Sequence, residues 1–107
     1  MNKLASMLSL SKKAGKLVLG FEAVRESVEK KNARLVLVAR DVSPKSQKEI
    51  ALVCQKSGAL IKTLPLTMDE IWFAAGKRAG ILAVADEGLA KKLSQLADDS
   101  NKEESAL

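Results

Sequence analysis

The spacing of apolar residues in the first forty positions alternates between a helical and a strand interval. A capping Asn2 and apolar residues three and four apart predict a first helix that ends at Gly15. The short apolar run at 17–19 predicts a strand, and the helical interval returns over 21–31. Residues 34–39 are continuously apolar after an initial arginine, which is typical of a strand covered on both faces. We therefore expect 34–39 to be the central strand of a sheet.

The second half of the chain repeats this alternation and carries clear helix starts. Ser43 followed by Pro44 marks one start, because serine caps well and proline fits the first helical position. The segment from Thr67 to Glu70 has the pattern of a capping box and marks another. The predicted elements here are a helix at 44–57, a strand at 59–63, a helix at 68–75, a strand at 81–85 and a helix at 86–97. Strands that alternate with helices predict an α/β fold, a three-layer α/β/α sandwich with an about four-stranded sheet and helices on both faces.

Length and composition indicate one domain and a tail. The 107 residues are enough for a single domain and too few for two ordinary ones. Apolar content falls sharply after Ala97, so we expect a domain at 1–97 and an acidic, flexible C-terminal tail at 98–107. No apolar run approaches the roughly 20 residues of a membrane-spanning helix, and the N-terminus lacks the pattern of a secretory signal. The sequence therefore predicts a cytoplasmic protein with no membrane partner.

The side chains on which most enzymes and metal centres depend are scarce. The chain has no histidine and a single cysteine, Cys54, which its neighbours Ile50 and Ala51 place on a buried helix face. Without histidine there is no plausible zinc or haem ligand set, so we expect neither a metal nor a cofactor. The segment 15–20 matches neither the P-loop nor the dinucleotide fingerprint, and the carboxylates at helix starts have ordinary capping roles. We therefore expect a protein that is not an enzyme.

Positive charge is concentrated in the first part of the chain. Residues 1–62 contain thirteen basic and five acidic residues, a net +8, whereas 63–97 are neutral and 98–107 carry −3, which together give the net charge of +5. A one-sided basic excess is typical of a phosphate-binding surface, although solubility alone accounts for a net charge of this size. With one tryptophan, two phenylalanines and no tyrosine, nucleic-acid binding would depend on charge and backbone rather than on base stacking.

The first candidate binding segment lies around Gly20. Lys12, Lys13 and Lys16 cluster at the end of the first helix, where they can meet phosphates. Gly20 then opens the second helix, whose first amides have no intrahelical partner and attract an anion. The alternative explanation for the three lysines is that cations complement the negative end of a helix dipole.

The second candidate segment is the loop 76–80 before the last predicted strand. Lys77 and Arg78 supply two cations between flanking glycines, and Ile81 supplies an apolar side chain that can lie against an exposed base. The alternative explanation is an ordinary turn from helix to strand.

Several separate blocks of the sequence resemble one known family. They are LSLSKKAGKLVLG at 8–20, ARLVLVARD at 33–41, AAGK at 74–77 and VADEG at 84–88. In this order they resemble the L7Ae/L30e ribosomal protein family, most closely its bacterial YlxQ branch, from Met1 to about Leu96. The resemblance implies the same α/β/α sandwich. It also implies binding of kink-turn RNA: the loop and helix start after the glycine read tandem sheared G·A pairs, and a second loop packs on an extruded nucleotide.

The residues after Gly20 depart from the pattern G-x-[NK]-[EQ]-x-x-K, in which kink-turn readers resemble one another. Glu22 replaces the asparagine or lysine that faces the guanines, and Ala23 replaces a hydrogen-bond acceptor. Glu26 places a carboxylate where a lysine should meet phosphate, with Arg25 as the candidate substitute. Glu22 retains oxygens that can accept from guanine amino groups. The resemblance therefore implies modest affinity for a standard kink-turn.

These inferences predict a non-catalytic, cytoplasmic, bacterial RNA-binding protein that recognises kink-turn-like structured RNA or ribosomal RNA, with the ribosome as a partner, and that is a monomer. The expected RNA-binding residues are Lys12, Lys13, Lys16, Gly20, Phe21, Glu22, Arg25, Lys77, Arg78 and Ile81. The alternative is a protein–protein interaction module on the same fold with weakened or lost kink-turn recognition. In that case Phe21 or the helix of Trp72 and Phe73 would contact the partner, whereas we expect these three aromatics to belong to the core.

Overall fold

Four strands and five helices make up residues 2–105, which are the part of the chain that this computed structural model describes. In chain order they are α1 (Lys3–Lys13), β1 (Leu17–Leu19), α2 (Phe21–Glu29), β2 (Leu35–Ala39), α3 (Pro44–Ser57), β3 (Ile61–Leu64), α4 (Met68–Ala75), β4 (Ile81–Val84) and α5 (Glu87–Ser105). Helices α1, α4 and α5 pack together on one face of the sheet, and α2 and α3 pack together on the other. The predicted three-layer α/β/α sandwich is confirmed.

The sheet has the strand order β1-β4-β2-β3 and mixed strand directions. β2 is parallel to β3, and β4 is antiparallel to both of its neighbours, β1 and β2. Every residue of β2 and β4 is buried, because these two strands are covered by helices on both faces. β2 is therefore an interior strand, as predicted. The register pairs Leu19 with Leu82 and Val38 with Ile81, which brings the end of β1, the end of β2 and the start of β4 to one end of the sheet.

The helix starts follow the capping signals in the sequence. The Asn2 side chain accepts a hydrogen bond from the Ala5 amide at 2.7 Å, and Ser43 caps α3 through its hydroxyl. Thr67 and Glu70 form the reciprocal capping box at the start of α4, with each side chain accepting from the other residue's amide. These contacts satisfy amides that have no partner inside the helix, so the predicted starts of α1, α3 and α4 are confirmed.

The thiol of Cys54 lies in the core beneath α3. Cys54 is 1% exposed, and burial raises the pKa of its thiol. Ile50 is buried beside it, but Ala51 is exposed, so its predicted place on the inward face is wrong. Residues 50 and 54 are one helical turn apart and share a face, whereas residue 51 is rotated away from it by about 100°.

α5 continues beyond its predicted end at residue 97. It runs to Ser105, and its second half contacts β3: Lys62 pairs with Asp98, and the Asn101 side chain donates to the Thr63 carbonyl at 3.1 Å. These contacts stabilise the helix at residues 98–101, which have little apolar surface. The predicted helix end at residue 97 is therefore wrong. Residues 106–107 of the predicted tail lie outside the described residues. Within residues 2–105, no helix combines the length and the hydropathy that crossing a bilayer requires.

The aromatic residues of α4 point away from the core. Phe73 is 89% exposed and Trp72 is 56% exposed, whereas Ile71, Ala74 and Ala75 form the buried face of the helix. The expectation that Trp72 and Phe73 belong to the core is therefore wrong. The inward positions of this short helix are filled by the residues at the helical interval from Ile71, which leaves the two aromatics on the solvent side.

Candidate nucleic-acid interface

One end of the sheet carries Gly20, Gly76 and Gly80, and we call it the glycine edge. It comprises Gly20 and residues 40–43, 66–68 and 76–80. Backbone hydrogen bonds join these loops: the Gly20 amide donates to the Ile81 carbonyl at 2.9 Å, and the Ala39 amide donates to the Gly80 carbonyl at 2.7 Å. The two segments that the sequence analysis selected around Gly20 and Gly80 are therefore adjacent at this edge.

The start of α2 at the glycine edge is open. Gly20 has φ 102° and ψ 151°, a conformation that a residue with a side chain adopts only with strain. No side chain caps α2, and a Cβ added at Gly20 would meet no heavy atom within 4 Å. The glycine is therefore required by the backbone conformation and leaves free space above the first amides of the helix. Such an end attracts an anion, but Glu22 already places a carboxylate in the first turn.

The loop 76–80 approaches the loop after β2 closely at Gly80. A Cβ built on Gly80 would lie 2.4 Å from Val42 Cγ2 and 3.1 Å from Met68 Sδ. The Met68 amide also donates to Asp41 Oδ1 at 2.9 Å, which ties the start of α4 to the same loop. Glycine at position 80 therefore allows three connections to pack together. This close approach carries no local sequence signal, because its partners lie 38 and 12 residues away.

A shallow cavity of about 400 Å³ opens on the glycine edge. Its lining consists of Phe21, Asp41, Val42, Ser43, Ser46, Met68, Gly80 and Ile81. Phe21 is half-buried and packs against the core, so only part of its ring faces the cavity. Ile81 is the first residue of β4 and is 4% exposed. The predicted role of Ile81 as an exposed side chain in the loop is therefore wrong, because β4 draws it into the core.

Arginine side chains at the glycine edge pair with carboxylates. Arg78 Nε lies 3.0 Å from Asp69 Oδ1, and Arg40 lies 3.8 Å from Glu70. Arg25 on α2 pairs with Glu22, the residue in the first turn of the same helix. Lys77 is exposed and has no carboxylate partner within the described part of the chain. Much of the positive charge that the sequence places here is thus locally balanced.

The opposite end of the sheet, where β1 begins and β4 ends, carries the other predicted cations. We call it the lysine edge; it comprises Lys12, Lys13, Lys16 and Arg34, around Val84 and Ala85. Lys16 and Gly20 are joined by the extended strand β1, and four residues at about 3.3 Å each separate them by about 13 Å. The candidate segment that contains Lys12, Lys13, Lys16 and Gly20 is therefore divided, because β1 places the lysines and the glycine at opposite ends of the sheet.

Arg34 is a member of the lysine edge that the sequence analysis did not select. The Ala85 amide donates to the Lys16 carbonyl at 2.9 Å, and the Arg34 amide donates to the Val84 carbonyl at 2.8 Å. Lys16 and Arg34 thus flank the end of β4 on its two sides. The available signal was the position of Arg34 just before the central strand, but its proximity to Lys16 depends on strand order.

The charged groups of the two edges are arranged differently. No three or more of the cysteines and carboxylates in residues 2–105 are grouped so that they could hold a metal ion. On α2, the Glu26 and Lys30 side chains are hydrogen-bonded at 2.6 Å, which lowers the pKa of the Glu26 carboxyl and raises that of the Lys30 ammonium. This pair contributes no net charge to the surface. Among the described residues, the glycine edge therefore has paired arginines and the unpaired Lys77, whereas the lysine edge has four unpaired cations.

Comparison with known proteins identifies the family. The large ribosomal subunit protein eL30B of Schizosaccharomyces pombe is 31% identical over 85 residues, which cover 78% of this chain and 73% of that protein. A Bacillus halodurans protein of unknown function is 26% identical and superposes with a TM-score of 0.86 over 92% of this chain and 99% of that one. The Giardia lamblia 15.5kD RNA binding protein, 14% identical, shares the fold with a TM-score of 0.74 over 90% of this chain and 85% of its own. Residues 2–94 match the ribosomal protein L7Ae/L30e/S12e/Gadd45 family, and the chain belongs to that family.

Proposed function

We propose that this protein is a non-catalytic, ribosome-related RNA-binding protein that holds structured RNA at its glycine edge. The observation that carries the proposal is the open start of α2 at Gly20, in contact with the β4 strand that follows the loop 76–80, in a member of this family. Backbone amides at a helix start and a glycine without a covering side chain allow a phosphate backbone to approach closely. The similarity to a protein of the large ribosomal subunit supports the same conclusion.

The finer proposal is that the RNA has a kink-turn-like fold and that this protein binds it with modest affinity. Glu22 and Ala23 occupy positions at which the family pattern has side chains that read bases, and Arg25 is paired with Glu22. A lost bidentate contact to a base typically removes about 1–3 kcal/mol of discrimination. The backbone contacts do not depend on these side chains. We expect ribosomal RNA as the target, a monomeric protein and a bacterial, cytoplasmic setting.

Binding to a kink-turn stem-loop, measured by filter retention across salt concentrations, tests the proposal. Lys77→Gln removes the unpaired cation of the glycine edge, and we expect it to lower the salt slope by about one unit. Lys48→Gln removes an exposed cation from α3 and is the matched control. Trp72, the single tryptophan, lies on α4 next to the loop and provides a fluorescence signal for the same titration. Absence of RNA binding at low salt would overturn the proposed function. Equal effects of Lys77→Gln and Lys48→Gln would show that the RNA does not bind at the glycine edge.

A protein-binding function is the second candidate, because α4 exposes two aromatic residues. Phe73 also borders a mainly apolar cavity of about 470 Å³ between α4 and the start of α1. Exposed tryptophan and phenylalanine next to an apolar cavity are typical anchors of protein interfaces. Phe73→Ala should then abolish protein cross-links that persist after RNase treatment, whereas Leu52→Ala, which alters an exposed leucine on α3, should not. Unchanged cross-links in Phe73→Ala would exclude this surface.

A further inference from the structure

The lysine edge concentrates cations that have no partner in the protein. Lys12, Lys13, Lys16 and Arg34 are all exposed, and none has an ion pair or a side-chain hydrogen bond within the described residues. By contrast, Arg25, Arg40 and Arg78 near the start of α2 and along the glycine edge are paired with carboxylates. We propose that the lysine edge is a second RNA-binding surface, which holds the phosphate backbone of a separate RNA segment without reading its sequence. The protein then bridges two RNA segments at opposite ends of its sheet.

The backbone that presents these cations is firmly held. α1 ends in a turn in which the Lys16 amide donates to the Ser11 carbonyl at 3.0 Å, and Ser11 itself is buried. Gly15 takes a left-handed φ of 71°, which turns the chain from the helix into β1. Lys16 and Arg34 lie on the two sides of β4, so their backbones are about 10 Å apart across two strand spacings. Phosphate-binding groups on rigid elements lose less conformational freedom on binding.

Helix-dipole complementation accounts for only part of this cluster. Lys12 and Lys13 lie in the last turn of α1, where a cation stabilises the helix by about 0.3–1 kcal/mol. Lys16 lies beyond that helix, and Arg34 precedes a strand, so neither belongs to the last turn of α1. Four unpaired cations from two separate parts of the chain thus meet at one end of the sheet. Convergent positive charge that forms no ion pair within the described residues is the electrostatic pattern of a phosphate-binding surface.

The carboxylates near this edge do not pair with its cations: within the described residues, Glu87 and Asp98 line a cavity with Arg34 but form no ion pair with it. Asp86 Oδ2 accepts from the Leu89 amide at 2.8 Å and caps α5, and Glu26 is bonded to Lys30. The exposed aromatics that would anchor a protein partner, Trp72 and Phe73, lie on α4, whose two ends return to the glycine edge. The lysine edge therefore has the charge for RNA and lacks the aromatic anchors of a protein interface.

A blunt RNA duplex without bulges or loops is the probe for this surface. In Lys12→Gln/Lys13→Gln, we expect the duplex dissociation constant to rise at least about tenfold and the salt slope to fall by about two units. The control Lys45→Gln/Lys48→Gln removes two exposed cations from the first turns of α3, so both variants reduce the net charge from +5 to +3. Lys16→Gln/Arg34→Gln tests the other half of the edge independently. Urea unfolding of each variant verifies that the fold is retained.

Capture of the labelled duplex by protein held on an immobilised kink-turn stem-loop tests bridging. We expect wild type and the α3 control to capture the duplex and Lys12→Gln/Lys13→Gln to lose capture while still binding the stem-loop. Equal duplex binding by that variant and the control would overturn the proposal, as would wild type that fails to bind the duplex at low salt. Bridging rests on the proposed function, but the duplex titration alone does not. Duplex binding without stem-loop binding would therefore refute the glycine-edge proposal and leave the lysine edge standing.

Discussion

Replacing Gly80 by alanine is the sharpest stability test of the glycine edge. The new methyl group would lie 2.4 Å from Val42 Cγ2, well inside the distance at which two carbon atoms can approach. The branched side chain of Val42 is restricted at χ1, so it cannot turn aside freely, whereas Met68 at 3.1 Å is flexible and can yield. Overpacking of a close-packed site typically costs 1–3 kcal/mol, and the Val42 contact leads us to expect about 2–3 kcal/mol for Gly80→Ala.

Urea denaturation of four proteins measures this effect: wild type, Gly80→Ala, Val42→Ala and the double variant. Val42→Ala alone removes two methyl groups from a buried side chain and should cost about 1.5 kcal/mol. In the double variant the alanine at position 80 occupies space that Val42 has vacated. We expect the double variant to be at least about 1 kcal/mol more stable than the sum of the single losses predicts. An unchanged m-value would show that the variants expose the same surface on unfolding, so that differences in midpoint report stability.

Two results would refute this reasoning. The first is a Gly80→Ala protein within about 0.5 kcal/mol of wild type, which would mean that the loops separate at little cost. The second is strict additivity in the double variant, which would mean that the strain does not involve Val42. Because Gly80 lies between the loop after β2 and the start of α4, Gly80→Ala should also weaken stem-loop binding beyond its effect on stability.

Further predictions concern Thr67, Gly20 and Cys54. Thr67→Ala removes one half of the capping box and should lower the free energy of unfolding by about 1 kcal/mol in urea titrations; no change would mean that α4 starts without this cap. Gly20→Ala should destabilise by about 1–3 kcal/mol because of its φ of 102°, and should cost more than Gly15→Ala at φ 71°; the reverse order in urea titrations would contradict the assigned conformations. Cys54 should react with a thiol reagent only as fast as the protein opens, and rapid labelling of folded protein would contradict its burial. Its raised pKa stabilises the fold below the ordinary thiol pKa, and this contribution should disappear as the pH rises through the folded-state pKa.

Local signals in the sequence were sufficient to predict the helices and strands of this fold. Each helix cap joins a side chain to the amide three residues later, so it can be predicted from a few consecutive residues; the caps are Asn2, Ser43 and Thr67. The apolar run at 35–39 predicts a strand covered on both faces because burial on both sides requires continuous apolar residues. The end of α5 was missed because its last turns are held by Lys62 and by the β3 backbone, partners that lie more than 30 residues away.

The features of the candidate site likewise fall into those that the sequence determined and those that depend on tertiary structure. The sequence by itself determined the α/β/α class, the cations and the glycines, because these depend on composition and on short-range spacing. Only the tertiary structure decided that Lys16 and Gly20 lie at opposite ends of β1, that Arg34 joins Lys16, and that Ile81 is buried. The physical reason is that strand order and direction follow from packing between distant segments. Lys16 and Gly20, four residues apart in sequence, therefore belong to different surfaces. Lys16 and Arg34, eighteen residues apart, belong to the same surface.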